Sequence, residues 1–162
     1  MKKRGRKGQA WGIDLGVAFI IFFAGVVVFY FYALNQPNET EDLREILSYE
    51  GNSIASSILS EGYPKDWNSN NVVTIGILSE NKINETKLGR FYNLSLYEYA
   101  KTQNIFNTRF KYYYSLDKNM SIEGKELEGI GAKPANTKNL IKITRFTIYQ
   151  NKPTTAYVYI WE

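Results

Sequence analysis

Cysteine and histidine are both absent from this chain of 162 residues, and proline occurs only four times. Without cysteine there are no disulfides, and without either residue there are no thiolate or imidazole metal ligands and no Ser-His or Cys-His nucleophile pairs. We therefore predict no cofactor and no enzymatic activity. A domain without disulfides must be held together by its core, for which the 13 tyrosines and other aromatic residues supply material.

An excess of positive charge is missing from most of the chain. The formal charge of +4 comes from the N-terminus, where Lys2, Lys3, Arg4, Arg6 and Lys7 precede an apolar run. From residue 35 onward, 15 basic residues balance 15 acidic ones. A neutral domain has no surplus of cations with which to neutralise phosphates, so nucleic acid is not expected as a partner.

The apolar run covers residues 15–34, which are 20 consecutive residues without a charge. At about 1.5 Å per residue this length matches the hydrocarbon core of a bilayer, so a transmembrane helix is predicted over residues 9–35. The basic flank predicts a cytoplasmic N-terminus and an extracytoplasmic C-terminal domain. The alternative is a cleaved secretory signal peptide, but its apolar stretch is usually shorter, about 7–15 residues, and ends in small residues.

The residues ahead of the run, KGQAWGIDL at positions 7–15, resemble the class III signal of archaeal type IV pilin-like proteins. In that family a prepilin peptidase cuts between Gly and Gln on the cytoplasmic side, and the hydrophobic helix is retained. The resemblance implies cleavage between Gly8 and Gln9, so residues 1–8 would be a basic leader. Two positions differ from the family pattern: Trp11 stands where Ser is usual, and the acid, Asp14, comes one residue late.

Asp14, Gly12 and Gly16 are the candidate assembly residues of this helix. The resemblance implies that the acid meets the free N-terminal amine of a neighbouring subunit. The residues alone equally favour a carboxylate in the headgroup region, where its burial costs little. Gly12 and Gly16 form a GxxxG step, which favours close packing of helices and also occurs by chance.

Beyond the membrane segment the pattern predicts an α+β fold. Residues 36–62 have the spacing of an amphipathic helix, and with the transmembrane half they form one long N-terminal helix, whose amphipathic half packs on a small antiparallel β-sheet in residues 63–162. Further elements are predicted at residues 72–78 (strand), 84–103 (helix), 109–116 (strand), 123–139 (exposed loop), and 140–149 with 155–161 (β-hairpin). The predicted inner face of the 84–103 helix consists of Leu88, Phe91, Tyr92, Leu96 and Tyr99.

Four Asn-x-Ser/Thr sequons lie on the predicted exported side, which makes the protein a candidate glycoprotein. The alternative is chance, because the chain is rich in Asn, Ser and Thr. Two other clusters are not predicted to be sites: the acids at 123, 126 and 128 are expected to be solvated, and the 129–131 Gly-Ile-Gly lacks a preceding strand. The sequon asparagines are Asn38, Asn84, Asn93 and Asn119.

These features together predict a pilin-like structural subunit, such as a minor pilin, of an archaeal cell-surface filament or envelope complex. Its expected partners are the membrane, prepilin peptidase and other pilin-like subunits that pack through the N-terminal helix. The alternative is an uncleaved, membrane-tethered binding or adhesion protein.

Overall fold

The computed structural model describes residues 7–34, 39–122 and 124–162, with side chains described from residue 11 in the first range and from residue 41 in the second. The chain divides into two compact units, Met1–Glu39 and Thr40–Glu162. The first contains helix α1 (Lys7–Leu34). The remaining elements are α2 (Glu39–Ile58), β1 (Leu78–Ser79), β2 (Lys82–Ile83), α3 (Glu85–Tyr97), α4 (Tyr99–Phe106), β3 (Lys111–Leu116), β4 (Met120–Ile122), β5 (Lys125–Leu127), β6 (Ile130–Gly131), β7 (Ile141–Tyr149) and β8 (Lys152–Trp161). The predicted α+β class is confirmed.

A four-stranded antiparallel sheet organises the second unit, with strand order β6-β3-β8-β7. The predicted hairpin is present as β7 and β8. Its turn consists of Gln150 and Asn151 alone, which both have positive φ (50° and 60°). Two such residues in succession are typical of a type I′ turn, whose twist matches that of the flanking strands.

Helix α2 packs on one face of this sheet, as the amphipathic pattern predicts. Leu47, Ile54, Ala55 and Ile58 are all buried in the core. The helix lies very close to the sheet at Gly51, where an added Cβ would lie 2.9 Å from the Ile160 Cγ2 atom and 3.1 Å from the Ile143 Cγ1 atom. Glycine in a helix interior costs about 1 kcal/mol relative to alanine, and here it permits this close approach. The helix occupies residues 39–58 of the predicted 36–62, and residues 35–38 lie outside the described part of the chain.

Aromatic side chains fill the same face beneath α3 and α4. The Phe91 ring stacks on Tyr112 at 6.4 Å between centroids, and Phe106 meets Tyr112 edge-on at 5.1 Å. The Tyr112 hydroxyl lies 2.5 Å from the Thr102 hydroxyl, which itself donates to the Tyr99 carbonyl oxygen. Because the single Thr102 hydroxyl proton is used in the bond to Tyr99, the Tyr112 hydroxyl donates to the Thr102 oxygen. Burial raises the pKa of the Tyr112 phenol, so the group stays a neutral donor.

The neighbouring Tyr114 provides a matched contrast, because its buried hydroxyl has no hydrogen-bond partner among the described residues. A buried polar group without a hydrogen-bond partner lowers the stability of the folded state. Deleting such a group removes this penalty, so the substitution is neutral or stabilising. We expect Tyr114→Phe to raise the free energy of unfolding by about 1 kcal/mol and Tyr112→Phe to lower it by about the same amount. Urea titration of the detergent-solubilised chain measures both. If both variants lost the same free energy of unfolding, the contrast between a bonded Tyr112 hydroxyl and an unpaired Tyr114 hydroxyl would be contradicted.

Three sequence predictions are corrected. Residues 72–78 are not a regular strand: only Leu78 belongs to β1, and Thr74 forms an isolated bridge with Tyr63. This segment lies against the irregular backbone that follows α2. The two backbones approach so closely that an added Cβ at Gly76 would lie 2.2 Å from the Gly62 nitrogen. The 84–103 helix is two helices, because Glu98 leaves helical geometry at φ −136° and ψ 50°.

The third correction concerns residues 123–139, which are not simply an exposed loop. Within this segment β5 and β6 form, and Ile130 is buried in the core. The helix face predicted for α3 also shifts, since Leu96 is exposed and Leu94 is buried in its place.

Tyr113 points away from the core face, as strand alternation predicts, yet only 8% of it is exposed. It packs beside Tyr159, with 6.2 Å between ring centroids. The backbone of Gly129 covers it, because an added Cβ there would lie 2.2 Å from the Tyr113 Cζ atom. The glycine at 129 is therefore required for packing.

Candidate membrane-anchoring helix and glycosylation sites

Helix α1 contains a segment, Trp11–Leu34, that is long and apolar enough to span a membrane. Its 24 residues extend about 36 Å, slightly more than the thickness of a hydrocarbon core. Among the described residues, nothing buries any part of this segment. A helix that is apolar on every side and unburied in its own chain needs an apolar environment from outside, such as lipid or other helices.

The two glycines of the GxxxG step lie on one open side of this helix. Residues four apart fall on the same face, and an added Cβ at Gly12 or Gly16 would have no atom within 4 Å. The structure thus leaves both positions accessible to a second helix.

Asp14 is exposed on α1, 20 residues before Leu34. At about 1.5 Å per residue, the two positions are separated by about 30 Å along the helix axis, which is the thickness of the hydrocarbon core. The carboxylate therefore lies at one boundary of the core when Leu34 lies at the other. Both a headgroup position and pairing with an amine are compatible with that depth.

Gly8 and Gln9 lie in the first turn of α1, and their side chains lie outside the described part of the structure. The peptide bond between them is the implied cleavage site. Two residues, Gln9 and Ala10, separate it from the start of the spanning segment at Trp11. A cut there would leave that segment intact.

The described sequons differ in their local structure. Asn84 is the N-cap of α3, where its side-chain oxygen accepts from the Lys87 N–H at 3.1 Å. Asn119 is exposed just before β4, and its amide donates to Glu126 at 3.1 Å. Asn93 is exposed in the middle of α3, but Ser95, which supplies the hydroxyl of that sequon, is only 6% exposed. Asn38 lies outside the described residues.

This difference leads to a prediction about glycan occupancy. Because the transferase must reach both the asparagine and the hydroxyl two residues later, a folded chain offers Asn119 and Asn84 but not Asn93. In glycosylated protein from native cells, we expect glycopeptides to contain Asn119 or Asn84 and little or no modified Asn93. Mass spectrometry of the tryptic peptides measures the three occupancies. Asn93 modified as fully as Asn119 would contradict this order.

Sequence reasoning missed Lys87, the most buried charged residue of the described chain. Its ammonium donates to the Glu61 and Leu78 carbonyl oxygens, each at 2.8 Å. Burial lowers the pKa of this ammonium. Lys87 thereby joins α3 to the chain that leaves α2, which is a structural role. Its only sequence signal is its position beside Leu88 on the buried side of α3.

The acids of the 123–139 segment do not form a site among the described residues. Glu128 pairs with Lys133, both well exposed, and Glu126 is also exposed. Glu123 lies outside the described part. No group of three His, Cys, Asp or Glu residues in the described ranges is placed to hold a metal ion.

The fold and the helix together define a class of protein: a small α+β domain that carries an apolar N-terminal helix of membrane-spanning length. No protein-family model, curated protein or solved structure matches the chain.

Proposed function

We propose that the protein is a pilin-like structural subunit, such as a minor pilin, of an archaeal cell-surface filament or envelope complex. Its N-terminus faces the cytoplasm before processing, and its α+β domain lies on the extracytoplasmic side. The observation that carries the proposal is the Trp11–Leu34 segment of α1, which is apolar on all sides and is not buried by any described part of the chain. The Lys7-Gly8-Gln9 junction at the start of α1 supports retention of the spanning segment after cleavage.

The role proposed is structural rather than catalytic. The chain lacks the usual nucleophile pairs, and the acids at 126 and 128 are solvated. Assembly would occur by packing of α1 against the same helix in neighbouring subunits, with the Gly12 and Gly16 face open for close approach. Asp14 would neutralise the new amine at Gln9 of a neighbour.

Cross-linking through α1 tests the proposal. The chain has no cysteine, so Ile13→Cys introduces a single thiol beside Gly12. We expect oxidation in native membranes to give covalent dimers through this thiol, and a bifunctional amine reagent to give a longer ladder. A matched variant, Tyr63→Cys, places an exposed thiol in the second unit as a control for random collision. A strictly monomeric Ile13→Cys chain would instead favour the alternative, an uncleaved membrane-tethered binding or adhesion protein.

A further inference from the structure

Strand β7 lies at one edge of the four-stranded sheet. In the strand order β6-β3-β8-β7, β8 is its single neighbour. At the turn end of β7, β2 lies alongside, and the Lys82 ammonium donates to the Asn151 side-chain oxygen at 3.0 Å. No strand of the described chain pairs with the other side of β7. An open edge of this kind can add a strand from another chain.

The pairing of β7 with β8 shows which backbone groups lie at this edge. Ile148 pairs with Pro153, which has no N–H, so this pair cannot exchange both ladder bonds. Because bonded and non-bonded pairs alternate in an antiparallel ladder, the even-numbered residues of β7 direct their N–H and C=O groups away from β8. The Thr155 carbonyl oxygen has the same phase, since it accepts from the Asp117 N–H at 2.9 Å, on the β3 side. The outward residues of the open part are Lys142, Thr144 and Phe146.

The central outward carbonyl of this edge already has a hydrogen-bond donor from the same chain. The Arg145 guanidinium donates to the Thr144 carbonyl oxygen at 3.1 Å and to the Asn52 side-chain oxygen on α2 at 2.5 Å. The Asn52 amide in turn donates to the Ser48 carbonyl oxygen at 2.7 Å, which fixes the orientation of the Asn52 side chain. The guanidinium is therefore held between α2 and the open edge of β7.

The neighbouring cation of β7, Lys142, is placed differently. Its ammonium lies over the Tyr157 ring, 3.8 Å from the ring centroid, on the face of the sheet rather than at its edge. The next outward residue, Phe146, is 87% exposed, so nothing in the described chain covers the edge at that point. Of the two cations, Arg145 alone is bonded to a backbone group of the open edge in the described residues.

We infer that Arg145 is an edge guard: its guanidinium, positioned by Asn52, prevents β7 from pairing with a strand of another copy of the chain. An added strand needs the Thr144 carbonyl oxygen as an acceptor, so it must displace the guanidinium and leave that cation close to the new ladder. The strand excluded most directly is β7 of a second copy, because an antiparallel edge can pair with itself about a two-fold axis. The inference concerns the α+β domain and does not rest on the role proposed for α1.

Three variants of the full-length, detergent-solubilised chain test the guard. Arg145→Met keeps a long side chain but removes the guanidinium, and we expect self-association about tenfold stronger than in the wild-type chain. Asn52→Ala leaves every charge in place and removes the anchor, so an increase of about threefold is expected. Lys142→Met removes the same charge as Arg145→Met without touching the Thr144 contact, and association should be unchanged. Sedimentation velocity compares the four chains, and any association through α1 is common to all of them.

Hydrogen exchange at single amides locates the contact. In the wild-type chain we expect the N–H groups of Lys142, Thr144 and Phe146 to exchange faster than those of Ile143 and Arg145, which bond to β8. In associated Arg145→Met chains the three fast amides should become protected. Slow exchange of these three amides in the wild-type chain would mean that the edge is already covered, which would overturn the inference.

The association data can also overturn it. An increase in Lys142→Met equal to that in Arg145→Met would make net charge the protecting feature, instead of the positioned guanidinium. Stronger association without protection of the β7 amides would place the new contact on another surface. Association of Arg145→Met at the wild-type level would show that the contact guards nothing. Urea unfolding shows whether that variant is folded; if it is not, Asn52→Ala decides in the same way, because alanine is a good helix former.

Discussion

The double variant Phe23→Arg/Val27→Arg is expected to abolish membrane retention of the protein. Both residues are exposed near the middle of the Trp11–Leu34 span. On the scale for helix insertion an arginine at the centre costs about 2.5–3.5 kcal/mol, whereas each Leu, Ile, Phe or Val contributes only about −0.3 to −0.6 kcal/mol. Two arginines thus cost about 5–7 kcal/mol, enough to cancel most of the favourable total. Alkaline extraction of membranes from expressing cells measures the retained fraction.

The control for this variant keeps the two arginines but moves them off the span. Tyr49→Arg/Tyr63→Arg adds the same charge to exposed positions of the second unit, and retention should be unchanged. Full retention of the Phe23→Arg/Val27→Arg chain would mean that α1 does not hold the protein in the bilayer by its apolar surface.

Trp67→Ala is expected to be the most destabilising truncation in the α+β domain. Trp67 is fully buried, and its indole N–H donates to the Gly76 carbonyl oxygen at 2.8 Å. The loop that carries it is also tied to α3, because the Arg90 guanidinium donates to the Trp67 carbonyl oxygen at 2.6 Å. Loss of a buried tryptophan costs about 3–5 kcal/mol, a large part of the total stability of a small domain. Pulse proteolysis across a urea series measures the loss.

Trp67→Phe separates packing from hydrogen bonding. It retains an aromatic ring but leaves the Gly76 carbonyl without its donor, so a loss of about 1–3 kcal/mol is expected. An alanine variant no less stable than the phenylalanine variant would show that the ring contributes little to the core.

The elements that sequence reasoning located are those whose pattern is local. The hairpin of β7 and β8 follows from two runs of β-branched and aromatic residues, 140–149 and 155–161, although its turn, Gln150 and Asn151, is shorter than the predicted connection. Helix α2 follows from apolar residues at helical spacing. In both elements the secondary structure that the local sequence favours also buries the apolar side chains. Tertiary contacts therefore did not override the local preference.

The elements that were missed depend on contacts distant in sequence. Residues 72–78 have strand-like composition, but their partner is the irregular chain near Tyr63, so no ladder forms. Ile130 is buried because β6 reaches β3, which a glycine-rich and charged composition does not reveal. The burial of Trp67 depends on the carbonyl of Gly76, nine residues away.

The candidate sites divide in the same way. The spanning helix was predictable because a run of 20 uncharged residues needs no tertiary information. The accessibility of the sequons was not, since burial of the Ser95 hydroxyl depends on how α3 packs.

The mature N-terminus in native membranes is the most direct test of the central claim, that the leader is removed and the helix is kept. N-terminal sequencing together with intact mass identifies the first residue without any substitution. The account predicts a chain that begins at Gln9 and retains the whole Trp11–Leu34 segment. A chain that begins at Met1 or Lys2, or one that begins beyond Leu34, would contradict it.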